Sequence, residues 1–184
     1  MKKIAKLLLK FLRSNSLSQL SDHKSACVGN GLRLGDFCNF VLYPELKKLQ
    51  FGSGINLRNY INIFVGKNAE LIIGDRVFMN NYCSINCLEK IEIGENTLFG
   101  EGVKLYDHNH KYGFHPEFKV EHQKFNTAPI KIGKNCWLGS NVTVLKGVTI
   151  GDNCIIGANC LIYKDVPANT MVKNKTELQN EEIQ

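Results

Sequence analysis

The chain has 184 residues, a formal net charge of +6 and seven cysteines. That length suits one domain with a core of its own. The cysteines include no CxxC pair, which argues against a structural zinc site, and the modest charge surplus does not by itself point to nucleic acid but suits a phosphate-bearing ligand.

Residues 1–16 read as a basic amphipathic helix. Ile4, Leu7, Leu8, Phe11 and Leu12 share one helical face, and Lys2, Lys3, Lys6, Lys10 and Arg13 lie mostly around it. The stretch is too short and too interrupted by lysine to span a membrane. Lys6 and Lys10 also break the apolar core that a signal peptide needs, and no small-residue cleavage site follows closely. The helix is expected to pack on the rest of the protein or on a neighbouring subunit. Peripheral contact with an anionic membrane through residues 1–13 is the second reading.

Residues 17–50 look irregular, although Leu32-Arg33-Leu34-Gly35 hints at an early, imperfect coil, and they are expected to form a cap over one open end of a repetitive core. Within them Arg33 and Asp36 are candidates to touch a substrate, although a solvated cap surface is the simpler reading. Recognisable repeats begin loosely at Phe51. Ile73-Gly74-Asp75-Arg76-Val77 leads on to Met79, Cys83 and Ile85, and Ile93-Gly94-Glu95-Asn96-Thr97 leads on to Phe99, Val103 and Leu105. The phase slips by two residues between Ile85 and Ile93, as at a corner irregularity. Residues 106–131 then break the pattern with a polar, structureless excursion that holds four of the five histidines, His108, His110, His115 and His122. Such an interruption in a tight fold is usually functional.

Residues 132–167 are the most informative. Cut every six residues they read IGKNCW, LGSNVT, VLKGVT, IGDNCI, IGANCL and IYKDVP. The first position is always a branched aliphatic, and the fifth is always Cys or Val. This period is neither that of a helix nor that of a plain alternating strand. It predicts a parallel β-helix, in which each coil buries its apolar edge against the coils above and below. Gly and Asn after the aliphatic residue suit turns with positive φ. Cys83, Cys136, Cys154 and Cys160 fill the inward fifth position, so they read as small reduced hydrophobes rather than as disulfides or a catalytic thiol. That usage points to a reducing, cytoplasmic setting. Trp137 follows at the outward sixth position. Residues 168–184 are polar and acidic, and are expected to be partly free.

In these repeats, over roughly residues 51–166, the chain resembles the hexapeptide-repeat acyltransferases, in particular the sugar and polysaccharide O-acetyltransferases of the galactoside and maltose acetyltransferase type. The resemblance implies an all-β fold, a left-handed parallel β-helix, with acetyl-CoA as co-substrate and no metal. It implies a homotrimer with sites between subunits and a saccharide acceptor, free or lipid-linked, in capsule, exopolysaccharide or O-antigen biosynthesis. The family's catalytic histidine lies sixteen residues beyond a repeat glycine; counted from Gly94 this is His110. His110 is therefore expected to be the general base, with His108 as its nearest rival. His115 and His122 are expected to face solvent or shape the loop. Asp107 and His108 are also expected to contact the acceptor; Asp107 either orients the base or makes a local turn bond. The family also places an asparagine near the acceptor sugar, which falls on Asn80, with Asn81 a weaker candidate. An asparagine at a solenoid corner is an equally simple reading of both.

An outward Trp137 suits the pantetheine arm of the co-substrate, the sugar face or packing on an adjacent subunit. Small residues at Gly139 and Ser140 leave room for a thin thioester arm, and the resemblance puts the Ser140 amide on the thioester oxygen and Gly157 and Ala158 beside coenzyme A one coil further on. Lys164, Lys173 and Lys175 are candidates for its phosphates. The family's terminal Gly-x-Pro-Ala turn is replaced here by residues 171–175, MVKNK, which leaves the nucleotide end open. Three other readings compete: an N-acyltransferase on an amino sugar, a zinc enzyme of the γ-carbonic-anhydrase type, and a solenoid without chemistry. His108, His110 and His115 lie in one loop with uneven spacing, a poor match to three histidines converging on zinc.

Overall fold

The recurring inward aliphatic residue sets the architecture. In the computed structural model, which describes residues 2–114 and 116–175, the chain winds into a three-sided solenoid of parallel strands. The first face carries six strands, from Ala26–Val28 to Thr149–Ile150; the second carries seven, from Arg33–Leu34 to Met171–Val172; the third carries six, from Asn39–Leu42 to Leu161–Ile162. His115 and residues 176–184, which include most of the acidic tail, lie outside the described residues.

Every first-position aliphatic and every fifth-position Cys or Val of residues 132–167 is buried in one continuous column. A fully buried Ile or Leu contributes about 2 kcal/mol of hydrophobic stabilisation. Thr97 takes a fifth position as a polar exception, and its hydroxyl is satisfied there. Oγ1 donates to the Gly133 carbonyl (2.9 Å) and accepts from the Cys136 N–H (3.2 Å).

The turns follow from the residues after each inward aliphatic. Asn96, Asn135, Asn153 and Asn169 adopt positive φ at the first corner, between the first and second faces. Asparagine tolerates that conformation, and here its side chain also bonds along the stack. Each Nδ2 of Asn96, Asn135 and Asn153 donates to the Oδ1 of the next, at 2.9–3.2 Å. Glycine precedes the first three of these turns because the neighbouring coil occupies the space of a side chain. A Cβ on Gly94 would meet the Gly133 carbonyl carbon at 2.5 Å. At the second corner Phe37, Tyr60 and Tyr82 also have positive φ, uncommon for bulky residues. Their rings stack at 5.2 and 4.9 Å between centroids, which offsets part of that strain.

The solenoid begins earlier than the repeats suggest. Residues 26–42, expected within an irregular cap, already contribute a strand to each face. Successive partners on the first face are Ala26, Leu49, Leu71, Ile91 and Ile130, so the coils measure 23, 22 and 20 residues and then 39. The extra residues all sit at the third corner, between the third and first faces, and the slip between Ile85 and Ile93 belongs there too. The 39-residue coil contains the excursion. It is not structureless: His108–Phe114 pairs antiparallel with Phe118–Thr127 in a hairpin, with a register shift between His110 and Lys111.

The N-terminal helix α1 (Lys2–Ser21) is five residues longer than expected at its C-terminal end. Its second half docks on the first coil. Leu20 is buried, Ser16 Oγ donates to the Cys38 carbonyl (2.8 Å), and Arg13 Nε donates to Asp36 Oδ1 (2.7 Å). Asp36 is thus engaged by the helix rather than open to a ligand. Of the expected face only Leu12 turns towards the coil, half-buried, while Ile4, Leu7, Leu8 and Phe11 are exposed.

The cysteine arrangement gives a solution test. Six of the seven thiols are buried and Cys27 alone is exposed. Ellman's reagent should therefore titrate one thiol in the folded protein and all seven after denaturation. Burial raises the Cys83 thiol from 9.0 to about 11, and pushes Cys38, Cys87 and Cys136 in the same direction. A thiol with a raised folded pKa stays protonated after its unfolded counterpart has ionised. Stability is then complete below pH 9 and falls as pH rises from 9 towards 11, by about 1.4 kcal/mol per pH unit for Cys83. Urea unfolding across that range measures the slope.

Candidate active site

The hairpin places histidines over the third corner. His108, His110 and His122 line a groove of about 800 Å³ with Phe125 from the hairpin, Tyr43, Phe64 and Lys67 from the first two coils, and Asn86 and Leu88 from the third. His110 is exposed, and its Nδ1 lies 3.3 Å from the Glu121 carbonyl. A carbonyl only accepts, so Nδ1 carries the proton and Nε2 keeps its lone pair. Its ring leans on Phe125, with centroids 4.7 Å apart, and His122 lies 6.4 Å away.

His108 is half-buried and held differently. Its Nδ1 lies 3.1 Å from Asp107 Oδ1, which again leaves Nε2 as the basic nitrogen. Asp107 is fully buried, and its carboxylate accepts from three backbone amides, Leu88 N (2.8 Å), Glu89 N (2.8 Å) and Lys90 N (3.0 Å). Asp107 was a candidate to bind substrate; the structure corrects this. The side chain is spent on the third-corner turn and on His108, and no face of it is open to a ligand. The sequence could not show this, because the amides it caps lie 17–19 residues upstream. Sequence reasoning also missed the groove's coil side, Tyr43, Phe64 and Asn86.

The remaining candidates gather elsewhere. Asn80, Trp137, Gly139 and Ser140 line a second cavity of about 290 Å³ on the second face and second corner, with Phe78, Leu98 and Gly100. Trp137 points outward, 53% exposed. Asn80 Oδ1 accepts from the Asn81 N–H (2.9 Å), and Asn81 Oδ1 in turn accepts from the Asn59 N–H (3.1 Å). Both are corner-capping asparagines, and the Nδ2 of each is left for another acceptor among the described residues. Within one chain Asn80 therefore does not meet His110.

Gly139 is buried, and a Cβ there would meet the Ala158 nitrogen at 2.7 Å, so coil stacking already demands its smallness. Ser140 is more telling. At four equivalent turn positions an Asx side chain of the next coil covers the amide: Asp36 N donates to Asn59 Oδ1, Ser53 N to Asp75 Oδ1, Asn59 N to Asn81 Oδ1 and Lys134 N to Asp152 Oδ1, whereas the amides of Asp75, Glu95, Glu101 and Asp152 have no such cover among the described residues. The residue stacked beyond Ser140 is Ala158, which has nothing to offer. The Ser140 N–H thus has no acceptor among the described residues and is ready to donate to an incoming oxygen. Ala158 acts by what it lacks, and Gly157 packs against Lys173. Lys164 is exposed at the third corner, its Nζ 5.7 Å from the Tyr163 ring centroid, away from the Gly157–Ala158 turn at the second.

Comparison with known proteins agrees with this architecture. The family model for the bacterial transferase hexapeptide (six repeats) matches residues 129–164. Over 128 residues the chain is 34% identical to WbbJ of Escherichia coli K12, which is named as an O-acetyl transferase of lipopolysaccharide biosynthesis; the match covers 66% of this chain and 63% of WbbJ. It is 38% identical over 123 residues to nodulation protein L of Rhizobium meliloti 1021, covering 67% of this chain and 64% of that protein. The crystal structure of a maltose O-acetyltransferase from Clostridium difficile 630 superposes with a TM-score of 0.56 at 33% identity, covering 65% of this chain and 62% of that one. The match thus spans a little under two thirds of each relative's own length. Residues 129–164 thus carry repeats that match the bacterial transferase hexapeptide model, and the longer matches include proteins named as O-acetyltransferases.

Proposed function

We propose that this protein is an O-acetyltransferase that moves the acetyl group of acetyl-CoA to a hydroxyl of a saccharide during polysaccharide assembly. The observation that carries the reading is the His110 imidazole, fixed through Nδ1 by the Glu121 carbonyl with Nε2 open to the groove. Similarity to proteins named for sugar and lipopolysaccharide O-acetylation supports it.

In this scheme the acceptor lies in the groove, its ring against Tyr43 and Phe64 and its hydroxyls within reach of the Asn86 amide. His110 Nε2 takes the proton of the attacking hydroxyl as the oxygen adds to the thioester carbonyl. The Ser140 N–H donates to the oxyanion that forms. The intermediate collapses, the C–S bond breaks, and the imidazolium returns its proton to the departing thiolate. Trp137 covers the thioester arm in the second cavity.

The two cavities lie on different corners of one chain, so the scheme requires a second copy. A homotrimer closed by a three-fold axis sets the second corner of one subunit against the third corner of the next. Free cysteines buried in the inward column favour a reducing, cytoplasmic setting, and no helix among the described residues is long and apolar enough to cross a membrane.

The test is release of coenzyme A from acetyl-CoA with a panel of hydroxyl and amino sugars. Release driven by a hydroxyl acceptor is expected. Release with amino sugars alone makes the protein an N-acyltransferase, and no acceptor-dependent release with any saccharide overturns the proposal.

A further inference from the structure

Helix α1 has two faces with different fates. Leu12, Ser16 and Leu20, at four-residue spacing, turn towards the first coil and are half-buried or buried. Ile4, Leu7, Leu8 and Phe11 form a separate stripe at i, i+3, i+4 and i+7. These four are 74, 69, 56 and 67% exposed, although a soluble surface helix would bury such a stripe. Among the described residues the side-chain hydrogen bonds from α1 to the solenoid start at Arg13, so the apolar stripe sits on the undocked half of a helix about 30 Å long.

Charge says what covers it. Residues 1–13 contain Lys2, Lys3, Lys6, Lys10 and Arg13 and no acidic residue. That segment supplies five of the six net positive charges of the chain, leaving +1 for the other 171 residues. A second copy of the helix laid on the stripe would oppose five positive charges to five. An anionic bilayer meets both halves of the surface, taking the apolar side chains between its acyl chains and the lysines among its headgroups. The solenoid behind α1 is rigidly attached through Leu20, Ser16 and Arg13.

We infer that the Ile4–Leu7–Leu8–Phe11 face of α1 is an interfacial anchor that holds the first coil of the solenoid against an anionic lipid surface. The anchor is reversible, because one helix with a four-residue stripe binds far more weakly than a transmembrane span.

The experiment is co-sedimentation of the full chain with vesicles of phosphatidylcholine alone and of phosphatidylcholine with phosphatidylglycerol. The wild type is expected to sediment with the anionic vesicles and to be released by high salt. Leu7→Asp with Phe11→Asp should lower the partition constant by about tenfold or more. Lys10→Gln, which removes one charge, should lower it by a smaller factor, about fivefold. Neither variant touches the docked face, so circular dichroism should be unchanged, as should coenzyme A release with a soluble acceptor. Wild-type protein that stays in the supernatant with anionic vesicles overturns the inference. So does equal binding to neutral vesicles, or a lower oligomer mass for the Leu7→Asp/Phe11→Asp protein without lipid, which would make a second copy the occupant of the stripe.

Discussion

His110→Ala should lower kcat for acetyl transfer by about 10²–10⁴-fold, the usual span for losing a positioned general base. The Nδ1 bond to the Glu121 carbonyl turns Nε2 into the acceptor, and no other side chain bonded to His110 can replace it. KM for acetyl-CoA should stay within about twofold, because the thioester arm belongs to the Trp137–Ser140 cavity and an interaction made only in the transition state falls on kcat. His108→Ala is the control. Its ring packs edge-on to Phe125 at 5.2 Å and faces Asp107, so the substitution loosens the hairpin root and should cost less in kcat. A larger loss from His108→Ala than from His110→Ala would move the base to the Asp107–His108 pair. Steady-state kinetics of both variants decide between them.

Asp107→Ala should be the most destabilising single polar substitution in the solenoid. The carboxylate is fully buried and collects the amides of Leu88, Glu89 and Lys90 together with His108 Nδ1. Removing it leaves three backbone donors without an acceptor, at about 1–3 kcal/mol each, so a loss of roughly 3 kcal/mol or more is expected. For a domain of this size that lowers Tm by about 6–12 °C. Asp107→Asn keeps one acceptor oxygen but turns an amide NH₂ towards donors, so its loss should fall between wild type and alanine. Thermal unfolding followed by circular dichroism measures both. A change below about 1 kcal/mol for alanine would mean that water satisfies the three amides.

The inward column was legible because an Ile, Leu or Val every six residues has no other structural use, and residues 132–167 keep one phase without a break. The first coil was legible only as a hint at Leu32-Arg33-Leu34-Gly35, because of its own length. Residues 29–38, GNGLRLGDFC, carry the turn chemistry, yet the additional residues at the third corner, 43–47 and 66–69, throw the six-residue phase out. The hairpin was hidden for a different reason. Its strands pair with each other and bury little, so Tyr112, Phe114, Phe118 and Val120 remain exposed and leave no periodic signal. Trp137 was legible as outward from its phase alone. The role of Asp107 was not, because it depends on a contact across one coil. Nor could a period of six tell the second corner from the third, so the separation of Ser140 from His110 emerged only from the folded chain.

That separation leads to the central claim, that catalysis joins the third corner of one subunit to the second corner of another. Subunit complementation tests it most directly. His110→Ala removes the base. Ser140→Pro deletes the free amide at a turn position that precedes the positive φ of Asn141, where proline is tolerated. Each variant alone should be nearly inactive. Unfolded together and refolded as mixed oligomers, they should regain acceptor-dependent coenzyme A release, because some interfaces then pair an intact His110 with an intact Ser140. Mixed oligomers that are confirmed by mass and remain as inactive as their parents would contradict the account.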